Sequence, residues 1–258
     1  MFERQDFLPG SVAVVTGAGS GIGAAVAAGL VSRGVAVALL DRDAAALAAS
    51  VAACGGGRTL ALTVDVADPD AVRTAFAAAA DRLGPVRHAV AAAGILRPAP
   101  LTEIDPADFC ASWQVNVGGV LHLLQESART LPPGGSVVVV TSNAAVVPRT
   151  SMATYAATKA AAAALTRVAG LELAAVGVRC NMVAPGTTAT PMLQALWTDP
   201  DAARAQALAG EPEKHRLGIP LGRIADPEDI ADTVLYLLSQ QARHITMQQL
   251  VVDGGASL

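Results

Sequence analysis

Short runs of apolar residues alternate along this chain with longer alanine-rich stretches that carry polar residues on a helical period. Val12–Thr16, Val35–Leu40, Thr59–Val64, Arg87–Ala91, Val137–Thr141, Val178–Ala184 and Gln249–Val252 are brief, mostly uninterrupted and rich in β-branched residues. Runs of that kind predict strands buried on both faces, so about seven are expected. Between them, Ala24–Arg33, Pro69–Leu83, Asp108–Arg129, a stretch through Tyr155 and Lys159 to about Ala175, and Pro227–Ser239 read as helices. Asp68 and Asp226 stand where N-caps are needed. Strands alternating with helices imply one parallel, doubly wound α/β sheet with helices on both faces. Residues 1–258 show no linker and no internal repeat, so a single domain is expected, with an irregular, Pro- and Gly-broken segment at about 187–222. An irregular segment of that length in a compact domain usually binds something.

The first apolar run ends in Gly17-Ala18-Gly19-Ser20-Gly21-Ile22-Gly23 and continues as a helix. Strand, glycine turn, helix is the order that brings free N–H groups and the positive end of a helix against a phosphate. The next strand ends in Asp41, where a carboxylate can hold the adenine ribose hydroxyls of a dinucleotide and repel a 2′-phosphate. NAD is therefore favoured over NADP, with Arg42 the one neighbour that could accept such a phosphate. Asp65 and Val66 follow the third strand, where Asp65 either caps a turn or meets the adenine. Ala92, Ala93 and Gly94 follow the fourth, where small residues admit a cofactor.

Composition narrows the partners. Hydrophobic residues make up 52% and aromatics only 3%, so the core is built of Ala, Val and Leu. The net charge of −4 and the absence of basic clusters interleaved with aromatics argue against nucleic acid and anionic membranes. Three scattered cysteines, Cys54, Cys110 and Cys180, fit reduced thiols in the cytoplasm. No apolar stretch reaches the roughly 18 residues of a membrane span, and no targeting segment is evident. His88, His122, His215 and His244 lack metal spacing, so no metal is expected and each is read as structural.

The chemistry concentrates at Ser142, Tyr155 and Lys159. Four residues apart on a helix, Tyr155 and Lys159 share a face, and an ammonium beside a phenol favours the phenolate. Ser142 emerges at the end of a buried strand, at the rim where open α/β sheets bind ligands.

Taken together, the glycine turn, Asp41, Asp65-Val66, Ala92-Ala93-Gly94, Asn116, Ser142, Tyr155-x-x-x-Lys159 and Pro185-Gly186 resemble the short-chain dehydrogenase/reductase family over nearly the whole chain. The resemblance implies a Rossmann-like fold and a catalytic tetrad of Asn116, Ser142, Tyr155 and Lys159. Asn116 would hold a water that links Lys159 to solvent. The implied NAD-binding set is Gly17, Ser20, Gly21, Ile22, Gly23, Asp41, Arg42, Asp65, Val66, Ala91, Gly94, Tyr155, Lys159, Pro185, Gly186, Thr188 and Thr190. Ala91 and Ala92 depart from the asparagines common there, which removes a hydrogen bond.

Further segments, chiefly Ile95-Leu96-Arg97 and Pro148-Arg149, are similar to the branch of that family acting on 2,3-dihydro-2,3-dihydroxybenzoate. The expected reaction is NAD-dependent oxidation of this cyclohexadiene diol carboxylate to an aromatic catechol acid of the kind used in siderophores. Ser142, Tyr155, Arg97, Arg149, Met192 and Trp197 would meet the substrate, with one of the arginines on its carboxylate. Leu193 and Leu196 would join Met192 and Trp197 either in an apolar lid or at a subunit contact. Three alternatives stay open: an amino analogue such as 2,3-dihydro-3-hydroxyanthranilate, an NADPH-dependent ketoreductase, which Asp41 opposes, and a silent NAD-binding scaffold, which the tetrad opposes. The resemblance also implies a homotetramer.

Overall fold

The computed structural model describes residues 6–214 and 216–257. His215 and the first residues of the chain lie outside that range.

Seven strands form one parallel sheet: β1 (Val12–Thr16), β2 (Ala36–Asp41), β3 (Thr59–Thr63), β4 (Val86–Ala91), β5 (Ser136–Val140), β6 (Arg179–Pro185) and β9 (Gln249–Val252). Their spatial order is β3-β2-β1-β4-β5-β6-β9. The order reverses between β1 and β4, which opens a crevice at their carboxyl ends, the place where such sheets take ligands. The strands β1, β4 and β5 are almost wholly buried, as expected of apolar runs covered on both faces.

Helices cover both faces. On one side α3 (Pro69–Leu83), α5 (Gly119–Thr130) and α6 (Ala153–Ala174) enclose a core that includes Phe76, Leu123, Leu173 and Met182. On the other, α1 (Gly21–Ser32) and α9 (Pro227–Leu238) close over Leu30, Leu39, Ile230 and Leu237. Asp68 caps α3 by accepting from Asp70 and Ala71 N–H, and Asp226 starts α9 in a reciprocal capping box with Asp229.

Three features differ from the sequence reading. The single helix expected over Asp108–Arg129 is α4 (Pro106–Trp113) and α5 separated by a π-helical turn, Gln114–Gly118, with Asn116 inside it. A π turn widens the backbone ring and redirects a side chain. A further helix, α2 (Ala44–Ala53), is capped by Asp43 where no helix was expected. The segment 187–222 is not irregular throughout: it carries α7 (Pro191–Gln194), α8 (Pro200–Ala209) and a two-stranded hairpin of β7 (Gly210–Glu211) and β8 (Arg216–Leu217).

Candidate active site

A cavity of about 780 Å³ lies over the carboxyl ends of the central strands. The glycine turn forms one end of it. Gly17 and Gly21 adopt φ of +67° and +52°, which side chains disfavour. A Cβ on Gly17 would stand 2.6 Å from the Ala93 nitrogen, and one on Gly23 2.1 Å from the Gly17 oxygen. The turn is a cradle that any side chain would fill. Ser20 makes no side-chain cap on α1, and Ser20, Gly21, Ile22 and Gly23 line the cavity, so the start of the helix faces the space a pyrophosphate needs.

Asp41 closes this end. Its Oδ2 accepts from Gly19 N–H at 3.0 Å and its Oδ1 from Asp43 N–H at 3.1 Å, so the carboxylate is held in place at the cavity wall. Arg42 and Asp43 line the cavity beside it. Asp65 caps the turn after β3, its Oδ1 accepting from Ala67 N–H at 2.9 Å, and it borders the cavity with Val66. Gly94, Pro185, Gly186, Thr188 and Thr190 also line the space. Ala91 does not; it is a buried residue of β4, and Ala92 and Ala93 form the wall instead, because the strand ends before the chain reaches the crevice. This pocket of glycines, helix start and carboxylate fits a nicotinamide dinucleotide.

Ser142, Tyr155 and Lys159 meet at the other end. Ser142 follows β5, accepts from Ala144 N–H at 3.1 Å and is hydrogen-bonded to Tyr155. Lys159 Nζ donates to the Val140 carbonyl at 2.9 Å and stands 5.7 Å from the Tyr155 ring centre. The expected helical pairing is thus present. Its electrostatics are not as expected. Burial raises the Tyr155 phenol above its ordinary value, and the groups that oppose this are the Ser142 hydrogen bond and the charge of Arg149. Burial also pushes the Lys159 ammonium down to about 8. Desolvation outweighs pairing here: Lys159 is buried and Tyr155 is half-buried at the cavity wall.

Asn116 is fully buried and does not line the cavity. Its Oδ1 accepts from Ile95 N–H at 2.8 Å, and its Nδ2 donates to the Ile95 carbonyl at 3.0 Å and to Thr158 Oγ1 at 3.1 Å. Thr158 Oγ1 in turn donates to the Tyr155 carbonyl at 2.8 Å. The side chain ties the loop after β4 to α6, with both Nδ2 protons engaged there.

The two candidate arginines separate. Arg149 is half-buried, lines the cavity and donates from Nη2 to Asn143 Oδ1 at 3.0 Å. Arg97 is exposed, lies outside the cavity wall and pairs with Asp108 at 2.6 Å. Trp197 also leaves the proposed lid: it packs on the small cluster of Ala207, Ile219, Ile224 and Ala256, while Met192, Leu193 and Leu196 border the cavity. Ile95, Leu96, Met152, Glu211 and Arg216 border it as well and were not expected as site residues from the sequence. Ile95 and Leu96 could have been found from their place just after Gly94; for Glu211 and Arg216 the only signal was their lying in the segment 187–222.

Among the described residues no group of His, Cys, Asp or Glu is placed to hold a metal ion. No described helix is long and apolar enough to cross a membrane.

A family model described as Enoyl-(Acyl carrier protein) reductase matches residues 17–257. The chain is 42% identical to the 2,3-dihydro-2,3-dihydroxybenzoate dehydrogenase of Bacillus subtilis, over 97% of each chain. It is 41% identical to the enzyme of that name from Escherichia coli, over 95% of this chain and 96% of the other. A short-chain dehydrogenase from Burkholderia cenocepacia, solved in complex with NADP, superposes with a TM-score of 0.87 at 34% identity, covering 97% of this chain and 99% of that one. Glycine cradle, Ser142–Tyr155–Lys159 cluster and full-length similarity agree: the chain belongs to the short-chain dehydrogenase/reductase family, an oxidoreductase built for a nicotinamide cofactor and a small-molecule substrate.

Proposed function

We propose that this protein oxidises 2,3-dihydro-2,3-dihydroxybenzoate to 2,3-dihydroxybenzoate with NAD, making a catechol acid for siderophore assembly. The observation that carries the reading is Arg149, a half-buried cation lining the same cavity as the Ser142–Tyr155 pair. A ring diol bearing a carboxylate has use for both. The names of the Bacillus and Escherichia relatives supply the identity of the diol. The reductase description of the family model names a different reaction, and the full-length relatives weigh more for the substrate.

Bound in the crevice, the nicotinamide ring would accept a hydride from the carbinol carbon. The remaining steps belong to the protein. Ser142 and Tyr155 hydrogen-bond the substrate hydroxyl; Tyr155 takes its proton as the C–H electrons leave, a contribution of about 10²–10⁴ in rate. Lys159, held by the Val140 carbonyl with its Nζ 5.7 Å from the Tyr155 ring centre, places a cation beside the ring as Tyr155 accepts the proton. The ketone so formed stands beside the remaining carbinol C–H, and transfer of that proton from carbon to the ketone oxygen tautomerises the ring to the aromatic catechol, which draws the reaction forward. Arg149 holds the carboxylate and sets which carbinol faces Tyr155.

Asp41 supports NAD over NADP, since its fixed carboxylate would meet a 2′-phosphate with like charge. Homotetramer assembly is part of the reading: Leu121 on α5, Val168 and Leu171 on α6, and Val251 on β9 are exposed apolar residues that a second copy would cover. The cytoplasm suits the free thiols of Cys54, Cys110 and Cys180.

The test is a panel of cyclic dihydrodiol acids, their amino analogues and acyl-thioester ketones, each with NAD(H) and NADP(H), read by dinucleotide absorbance. Turnover of the dihydrodiol acid with NAD at the highest kcat/KM is expected. A clear preference for NADPH and a thioester ketone would overturn the reading.

A further inference from the structure

Arg216 enters the cavity from an element that a dinucleotide-binding sheet does not require. It belongs to β8, which pairs antiparallel with β7, and the two-residue strands set Arg216 directly opposite Glu211. Arg216 Nη1 lies 3.2 Å from Glu211 Oε1, and both residues line the cavity that contains Tyr155. The hairpin is fastened at its base: Ile219 N–H donates to the Leu208 carbonyl at 3.0 Å, and Ile219 packs with Ala207, Ile224 and Ala256. Arg216 is therefore delivered by packed structure and not by a free loop.

Arg149 reaches the same cavity from the loop that follows β5. Its side-chain partner is the neutral Asn143 amide, which bonds onward to Asp253 at 3.1 Å. The charge of Arg216 is felt at Arg149, whose guanidinium is held below its ordinary basicity first by burial and next by Arg216. Two cations in one partly desolvated space repel each other, and an anion between them relieves the repulsion. Glu211 serves Arg216 in that way; no ion pair serves Arg149 among the described residues.

We propose that Arg216 is a specificity-determining residue, the second cationic arm that joins Arg149 in receiving the substrate's carboxylate. The inference rests on the carboxylate substrate proposed above. Glu211 orients the Arg216 guanidinium toward the cavity, and the incoming carboxylate becomes a further acceptor for its N–H groups. A planar fork with donors to spare can serve two carboxylates at once. A ring acid gripped from two elements, one on the sheet frame and one on the hairpin, is fixed in orientation as well as in place, so selectivity for the acid over the carboxylate-free ring should depend on both arginines.

Two measurements test this on the full-length protein with NAD present. The first is the ratio of kcat/KM for 2,3-dihydro-2,3-dihydroxybenzoate to that for a carboxylate-free cyclic dihydrodiol. Arg216→Ala is expected to lower this ratio about 10- to 100-fold, the worth of one charge-assisted hydrogen bond, mainly through KM. Arg216→Lys should recover part of it. The second is calorimetric binding of benzoate against its neutral counterpart benzamide, which does not depend on any diol being a substrate. Native protein should favour benzoate, and Arg216→Ala should narrow the preference by a similar factor. An unchanged ratio in both assays, or equal losses on acid and neutral ligands in a folded variant, would overturn the role of Arg216. If native protein oxidises no dihydrodiol yet discriminates benzoate through Arg216, the proposed substrate fails while the anion-binding role stands.

Discussion

Asp41 reaches back from the end of β2 to accept a hydrogen bond from Gly19 at 3.0 Å, so the acidic residue at one end of the cavity also shapes the glycine turn beside it. The same carboxylate accepts from Asp43 N–H. Each oxygen keeps a lone pair for a ribose hydroxyl. Replacing Asp41 should therefore hurt twice, through the lost ribose contact and through a loosened turn. For Asp41→Ala, kcat/KM with NAD should fall by about tenfold or more while kcat/KM with NADP falls less, because Arg42 remains and the repulsive charge is gone. Steady-state rates with the two cofactors check this; equal losses would remove Asp41 as the discriminating residue.

Gly23 lies at the start of α1, and a Cβ there would sit 2.1 Å from the Gly17 carbonyl oxygen. The obstruction is backbone and cannot rotate away. Gly23→Ala should cost about 1–3 kcal/mol of stability, as overpacking does, and weaken dinucleotide binding more than it weakens folding. Thermal unfolding with and without NAD separates the two: the variant should lose most of the cofactor-dependent rise in Tm.

The strands and the glycine turn were legible because their signals are local: a run of apolar residues, or glycines at a strand end, carries its meaning within a few positions. Tyr155 and Lys159 were legible as neighbours for the same reason. Their ionisation was not, since burial depends on what packs around α6 from distant segments. The π turn at Asn116 was hidden because helical periodicity runs through it; its bonds go to Ile95 and Thr158, 21 and 42 residues away. The helix Ala44–Ala53 gave no amphipathic signal, being apolar nearly all round. Arg97 and Arg149 looked alike as arginines near the expected site, and only Asp108 beside one and Asn143 beside the other tell them apart.

The charge of Arg149 and the Ser142 hydrogen bond both favour the Tyr155 phenolate against burial. Oxidation requires Tyr155 to accept a proton, so kcat/KM for oxidation should rise with pH along its acid limb. Arg149→Ala should shift that limb to higher pH, and Arg149→Lys, which keeps the charge, should shift it less. Tyr155→Phe should lower the rate by about 10² or more at every pH. An acid limb that stays in place in Arg149→Ala would show that Arg149 does not act on Tyr155.

His88 is buried on β4 with its ring edge-on to Phe7 at 5.5 Å between centres. Ser136 Oγ spends its proton on the Leu238 carbonyl at 3.0 Å, so its 2.8 Å bond to His88 must be one in which His88 Nδ1–H donates. Nε2 is then the unprotonated nitrogen, and it is buried without a partner. Protonation would bury a charge and an unpaired donor together, and burial together with the charges of Arg87 and Arg179 holds the ring down to about 3. The unfolded chain takes up this proton near 6.5, so between about 6.5 and 3 it binds more protons than the folded one. The stability contributed by the neutral His88 ring is therefore present in full well above pH 6.5 and is lost as pH drops through that window, by a few kcal/mol at its lower end. Chemical denaturation at pH 7 and pH 4.5 should show a loss in the native protein that is smaller in His88→Phe, which keeps the packing against Phe7 without a titrating ring. An identical pH dependence in the two proteins would place the acid sensitivity at other groups.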